Sequence, residues 1–257
     1  MEDEIRVSVT DALSICGVLM AGGKGTRLAA AGIKTAKTLI PLQGRPIISW
    51  VIEQFLQVLP RVVLLAGVHA ETYTSLYDGN SRVHVVPTPQ LGTGYDLLYS
   101  IEYIEEQTLV ICNVDTIVNV DLVSVLNAHF KRRTGATIVL TRNPDAQNAG
   151  AFFVNREGCV LRSLEDKETE LPLPTEYAWR GASTGIIVAP LQLLRQVGVE
   201  GITSTEREIL PNMISRGNLF AYDNGAGYTL DIGTPERLNR LFEENEQVME
   251  ALFKSQL

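Results

Sequence analysis

Three glycines and two cations crowd one short stretch, Gly22-Gly23-Lys24-Gly25-Thr26-Arg27, and Lys37 follows a few residues later. Glycine has no Cβ, so successive backbone N–H groups can close around phosphate oxygens, while ammonium and guanidinium groups nearby offset phosphate charge. The chemistry favoured is the holding of a triphosphate. Two carboxylates further along supply a complementary part: Asp115, after the apolar run Thr108-Leu109-Val110-Ile111-Cys112, and Asp231, just ahead of Gly233-Thr234-Pro235. Magnesium prefers oxygen ligands and keeps several waters, so one or two carboxylates suffice to hold it beside bound phosphates. Each aspartate also has a purely architectural use, capping a turn or satisfying backbone donors ahead of a helix.

Spacing separates this loop from two others. A Walker A loop needs Gly, four residues, then Gly-Lys-Ser/Thr; counted from Gly17, Lys24 falls one residue late and Gly25 follows it. A dinucleotide-binding turn needs a third glycine where Leu28 stands.

The run Gly22, Gly23, Gly25, Thr26, Arg27, Leu28, then Lys37, then Pro41-Leu42-Gln43-Gly44-Arg45-Pro46, resembles the signature of the sugar-phosphate nucleotidyltransferases. Asn113-Val114-Asp115 resembles the family's Asn-Gly-Asp, with Val114 in place of glycine, and Asp231-Ile232-Gly233-Thr234-Pro235-Glu236 resembles its Asp-Ile-Gly-Thr-Pro-Glu. The resemblance implies Mg2+ on Asp115 and Asp231, with Arg27 and Lys37 as the catalytic cations and Gly22 to Thr26, including Lys24, around the triphosphate. Gln90-Leu91-Gly92-Thr93-Gly94 is similar to the segment facing the nucleobase, so Gln90, Gly92 and Thr93 are nucleotide-binding candidates, while Tyr95 and Asp96 depart from the small residues usual there. Thr93 also suits the N-cap of the helix that follows.

For the acceptor, Ser163-Leu164-Glu165-Asp166-Lys167 resembles the family's Phe-x-Glu-Lys-Pro, with Asp166 in place of Glu and Glu168 in place of Pro, implying that Asp166 and Lys167 meet a sugar phosphate. Gly150, Ser183 and Thr184 match the family's sugar-lining strands, and Glu206 matches a residue that holds a sugar hydroxyl; a glutamate in a first helical turn also suits the helix dipole. The implied reaction is nucleoside monophosphate transfer from an NTP, GTP by resemblance to the compact guanylyltransferases, to a sugar 1-phosphate with release of pyrophosphate. A cytidylyltransferase for alditol or amino-alcohol phosphates, or a silent nucleotide-sugar-binding regulator, shares much of the pattern. Homodimer formation is expected by the same analogy.

These residues need a scaffold. Apolar runs at 15–20, 62–67, 82–86, 108–112 and 136–140 read as strands, alternating with helical patterns at 47–59, 71–77, 95–106 and 122–133. That alternation predicts an α/β fold, a Rossmann-like, mostly parallel sheet sandwiched by helices, whose ligands sit at the carboxyl ends of the strands. Beyond Asn143 shorter strands at 151–155, 160–164 and 183–189 predict a smaller antiparallel sugar-binding layer across the mouth of the sheet. A helix is expected over 205–215 with Ser204 as cap, and a last helix opening at Pro235 behind Thr234. The whole chain, 1–257, reads as one nucleotidyltransferase domain, with a nucleotide-binding half over about 15–142 and a sugar-phosphate half over about 143–257.

At 257 residues and 45% hydrophobic composition the chain can bury a substantial core. A net charge of −8 argues against a nucleic-acid surface and requires a local basic pocket for any anionic substrate. Cys16, Cys112 and Cys159 show neither disulfide nor zinc spacing. The acidic start lacks the features of a secretory signal, and no apolar run is long enough for a bilayer, so neither a membrane nor a nucleic-acid partner is expected and a cytoplasmic location is. His69, His84 and His129 are scattered, with no hydrolytic triad around them.

Overall fold

The computed structural model describes residues 14–23, 32, 36–143, 150–164, 174 and 176–253. In chain order its strands are β1 (Ile15–Met20), β2 (Pro41–Leu42), β3 (Arg45–Pro46), β4 (Val62–Ala66), β5 (Val83–Pro87), β6 (Thr108–Asn113), β7 (Thr116–Val118), β8 (Ala136–Thr141), β9 (Ala151–Val154), β10 (Val160–Leu164), β11 (Trp179–Pro190), β12 (Leu219–Asp223) and β13 (Thr229–Asp231). The described α-helices are α1 (Ile47–Leu56), α2 (Ala70–Leu76), α3 (Thr93–Ser100), α4 (Leu122–Arg132), α5 (Leu191–Arg195), α6 (Leu210–Ser215), α7 (Pro235–Glu243) and α8 (Asn245–Phe253).

One nine-stranded sheet organises the chain. Its main path runs β12-β8-β11-β6-β1-β4-β5, and every pairing along it is parallel except those of β11, which is antiparallel to both β6 and β8. Every residue of β1, β4 and β8 is buried, the continuous apolar reading expected of strands covered on both faces. One face packs against α3, α5 and α6 through residues such as Leu97, Leu194 and Met213; the other packs against α1, α2 and α4 through Phe55, Tyr73 and Leu126. Each such aliphatic or aromatic burial contributes roughly 1.5–3 kcal/mol.

Register fixes where ligands can meet the sheet. Met20 of β1 pairs with both Leu65 and Asn113, so β1, β4 and β6 finish at one level. The loops opening at Ala21, Gly67 and Val114 therefore share one edge.

The antiparallel strands differ from the expected separate layer. β11 runs twelve residues, well beyond 183–189 at its amino end. Its first part, Trp179 to Ala182, carries β9 and through it β10, while Ile186 to Pro190 pair with β6. The antiparallel strands are thus an outgrowth of the main sheet, because one strand long enough to have two neighbours on the same side joins them.

Helix ends also shift. The helix expected over 95–106 ends at Ser100 and continues only as a 3-10 turn, Ile101–Tyr103. Gly92, not Thr93, occupies the N-cap, with φ +125°, a conformation natural to glycine. The 205–215 helix opens as a π turn, Thr205–Ile209, with Ser204 Oγ accepting from the Arg207 N–H at 3.2 Å; Pro211, which has no N–H to give residue 207, stands just after the junction. Thr234 caps α7 as expected, but α7 is not the last helix: Val248 and Leu252 of α8 are buried against the β7–β13 ribbon.

His129 on α4 is buried, with Nδ1 3.0 Å from the Thr137 hydroxyl, and burial pushes its pKa from 6.5 down to about 4. The unfolded chain therefore binds a proton here before the folded one does. Stability contributed by the neutral ring is full above pH 6.5 and is lost as the pH falls from 6.5 towards 4. We predict that His129→Gln flattens the fall in melting temperature across that window, as thermal denaturation at stepped pH would measure; an unchanged slope would place the acid sensitivity elsewhere.

Candidate active site

At the shared carboxyl edge of β1, β4 and β6 lies a cavity of about 400 Å3. Gly22 and Gly23 form one wall, Gln90 to Thr93 with Asp96 another, and Lys37, Asn113 and Asp115 a third. Gly22 is tight: a Cβ there would lie 3.2 Å from Asp96 Oδ2 and 3.3 Å from Thr88 Oγ1. Gly67 is tighter, its Cβ position falling 2.8 Å from the Gln90 side chain and 2.9 Å from the Gly22 carbonyl. Glycine at these two positions lets three loops nest, and Gly23, with nothing within 4 Å of its Cβ position, faces open space. Lys24, Gly25, Thr26 and Arg27 lie outside the described residues.

The Gln90–Thr93 segment is held from both ends. Asp96, 5% exposed, accepts from Thr88 Oγ1 at 3.0 Å and from the Leu91 N–H at 3.3 Å. A Cβ on Gly92 would collide with the Thr203 carbonyl, which also accepts from the Gly94 N–H at 3.2 Å. Thr93 turns its hydroxyl to the 205–206 segment, accepting from the Thr205 N–H at 3.1 Å, instead of capping the helix. Asp96 went unread in the sequence, where it is a departure from small residues; a carboxylate in the first turn beside a Gly-rich loop is the signal that marks such a strut.

The two aspartates come together on a two-stranded ribbon. In the antiparallel pair β7–β13, Asp231 stands opposite Thr116, and the Ile232 N–H donates to the Asp115 carbonyl at 2.9 Å. Lys37 pairs with the Asp115 carboxylate from a 3-10 turn, Lys37–Leu39, whose Thr38 hydroxyl is locked to the buried Tyr73 hydroxyl at 2.6 Å. Asp231 accepts from the Gly233 N–H and pairs with Arg237 Nη1, both at 2.5 Å. Arg237 was not foreseen. A cation in a helix's first turn opposes the helix dipole, which is a sequence-level hint that a carboxylate compensates it. Among the described residues no group of three or more His, Cys, Asp and Glu side chains could hold a metal, so the oxygen donors here are the separate carboxylates of Asp115 and Asp231, donors of the kind a hard, mostly hydrated cation takes.

The acceptor-side residues separate into two kinds. Gly150, with φ +72°, borders a second cavity of about 270 Å3. Ser183 Oγ accepts from the Gly185 N–H at 3.0 Å. Thr184 is fully buried and donates to the Val139 carbonyl at 2.9 Å, which commits its hydroxyl to the sheet and not to a ligand. Glu206 accepts from Asn113 Nδ2 at 3.3 Å and from Ser204 Oγ at 3.1 Å, tying the end of β6 to the 203–206 segment. Asp166 and Lys167 lie outside the described residues.

This mostly parallel sheet flanked by helices is shared with solved nucleotidyltransferases. The inositol-1-phosphate CTP transferase from T. maritima aligns with TM-score 0.73 at 16% identity, over 91% of this chain and 96% of that one. HddC from Yersinia pseudotuberculosis aligns with TM-score 0.71 at 21% identity, over 89% and 98%. Residues 17–175 match the MobA-like NTP transferase domain, and the chain belongs to that family.

Its sequence relatives include the mannose-1-phosphate guanylyltransferase of Mycobacterium tuberculosis (strain ATCC 25618 / H37Rv), 26% identical over 226 residues, covering 85% of this chain and 61% of the relative. The bifunctional protein GlmU of Methanococcus vannielii is 27% identical over 225 residues, covering 85% and 52%. The chain thus spans between half and two thirds of the length of these relatives. No described helix is long and apolar enough to cross a membrane.

The Asp96 strut generates a prediction. Asp96→Ala leaves the Leu91 N–H and the Thr88 hydroxyl without their buried acceptor, at a cost of about 1–3 kcal/mol. Urea denaturation should register that loss, and a fluorescent NTP should bind more weakly; wild-type nucleotide affinity in the folded variant would remove Asp96 from the positioning of this wall.

Proposed function

We propose that the protein transfers a nucleoside monophosphate from an NTP to a sugar 1-phosphate, releasing pyrophosphate, with GTP as donor and Mg2+ as metal. The observation that carries this reading is the β7–β13 ribbon, which joins the segment of Asp231 to that of Asp115, itself one of the residues lining the cavity walled by Gly22 and Gly23. The name of the M. tuberculosis relative supports the choice of reaction and of base, as does the solution of the HddC structure as a complex with GMP-PN.

In this reading an oxygen of the acceptor phosphate attacks the α-phosphorus, and the bond to the bridging oxygen of pyrophosphate breaks. The acceptor phosphate is ionised near neutral pH, so no side chain has to take a proton. Catalysis is then positioning and charge neutralisation. Lys37, anchored through Thr38 and Tyr73, faces the α-phosphate; the amides from Gly22 onward cradle the triphosphate; Gln90, Gly92 and Thr93 face the base. Arg27 takes the departing pyrophosphate and Lys167 the acceptor phosphate, with Asp166, Gly150, Ser183 and Glu206 around the sugar. Asp115 and Asp231 would hold the magnesium, whose chemistry when bound is to offset phosphate charge. The protein is read as a cytoplasmic homodimer.

Pyrophosphate release, measured with magnesium and each of GTP, CTP, UTP, dTTP and ATP against hexose and heptose 1-phosphates, tests the reaction and names the base. Release only with CTP and an alditol phosphate would replace the acceptor class, and silence with every pair would favour a nucleotide-sugar-binding protein. Lys37→Ala and Asp231→Ala are each expected to lower turnover at least about a hundredfold, the scale of losing one transition-state contact. Full activity in folded Asp231→Ala would overturn the metal assignment.

A further inference from the structure

The second cavity opens at the carboxyl end of β8, between Thr141 to Asn143, Gly150 and the start of β11 from Arg180 to Ala182. β11 links it to the nucleotide cavity. Gly185 comes within 3.0 Å, Cβ position to Cβ, of Asn113, which lines the first cavity, and Ala182 pairs with Thr141 beside the second. Three residues of strand cover about 10 Å, room for one sugar ring between a reacting phosphate and a substituent at its far end.

Arg142 and Arg180 are among the residues lining this cavity, in a chain whose net charge is −8. Arg142 is held on both sides: its guanidinium lies 4.8 Å over the Trp179 ring and pairs with Asp223 at 2.5 Å, and its backbone N–H donates to the Gly225 carbonyl at 2.7 Å. Arg180 is exposed and has no ion pair among the described residues. Arg142 is thus committed to Asp223 and Trp179, and Arg180 is the lining cation that has no carboxylate partner among the described residues. Next to Arg180, Gly181 keeps the wall bare, since a Cβ there would come within 3.0 Å of both Leu140 Cβ and Trp179. A guanidinium on a concave surface takes a carboxylate or phosphate through parallel N–H donors, and the same charge disfavours an acceptor that ends in an ammonium group.

The geometry points to an acceptor that carries a second acidic group at the end remote from its reacting phosphate, bound by Arg180. This rests on the nucleotidyl-transfer reading and narrows it to an acidic sugar 1-phosphate.

Calorimetry on the full chain, loaded with a non-hydrolysable NTP and magnesium, would compare a neutral hexose 1-phosphate, a uronic acid 1-phosphate and a hexose 1,6-bisphosphate. At least one acidic acceptor should bind ten-fold or more tightly than the neutral one, and which of the two does so distinguishes carboxylate from phosphate. In Arg180→Ala the ratio of acidic to neutral affinity should collapse to about one, and in Arg180→Lys it should recover in part. Equal binding of all three, binding of none, or a ratio preserved in Arg180→Ala overturns the proposal. Absence of pyrophosphate release with every acceptor, beside an Arg180-dependent preference in binding, would overturn the transferase reading and leave the acidic subsite standing.

Discussion

The rest of the structure depends on β11 lying antiparallel between two parallel strands. A strand between β6 and β8 has to bury both of its edges, yet β11 is longer than either partner. It resolves this at Ser183 to Gly185, where the register against β8 slips and Gly185 adopts φ +79°. The side chain missing at Gly185 leaves room for Asn113, so the end of β6 and the bulge of β11 interlock. Bulges of this kind re-aim a strand while keeping most of its ladder. Beyond the bulge the freed edge takes up β9, and the second cavity opens there. Both cavities therefore neighbour one strand, the second through Arg180 to Ala182 and the first through the contact of Asn113 with Gly185.

Electrostatics at the first cavity follow from a shortage of cations. A chain of net charge −8 cannot attract a polyanion by its overall field, so attraction has to be local. Two of the local cations are already paired, Lys37 with Asp115 and Arg237 with Asp231. Both pairs remain partly open to water, and pairs of that kind contribute about 1 kcal/mol or less. They hold side chains in place without resisting an exchange of partners. In the proposed reading Asp115 and Asp231 would hold the metal, leaving Lys37 and Arg237 to offset phosphate charge.

Much of this was legible in the chain because the relevant signals are local. The buried strands read directly as apolar runs, and the glycine-rich stretch and both aspartates were visible as residue types at fixed spacing. What was not legible depends on contacts between distant segments. Residues 179–182, Trp-Arg-Gly-Ala, carry no strand pattern and are strand only because β9 pairs with them. Thr93 looks like a cap until the Thr205 N–H claims its hydroxyl, and Thr184 looks available until Val139 does. Asp96 and Arg237 differ: Thr88 and Leu91 for the one and Asp231 for the other lie only a few residues away, but irregular turns bring them together, and a turn leaves no periodic pattern to read.

The least expected of these dependencies concerns Asp231. In a strand successive side chains point to opposite faces. Leu230 and Ile232, on either side of it, are 3% and 0% exposed, buried with Ile117 of β7 and with Leu238, Leu241, Val248 and Leu252 of the two C-terminal helices. Leu42 and Ile47 complete the same cluster, so Pro41-Leu42-Gln43-Gly44-Arg45-Pro46 serves it as a packed hairpin, turned by Gln43 and Gly44 at positive φ. With both neighbours held down, Asp231 has only the outward face left. The carboxylate is therefore aimed by apolar contacts from residues 42 to 47 and 238 to 252, none of which approaches a phosphate. The Pro-Leu-x-Gly-Arg-Pro motif thus bears on the site through packing, by fixing the direction in which the Asp231 carboxylate points.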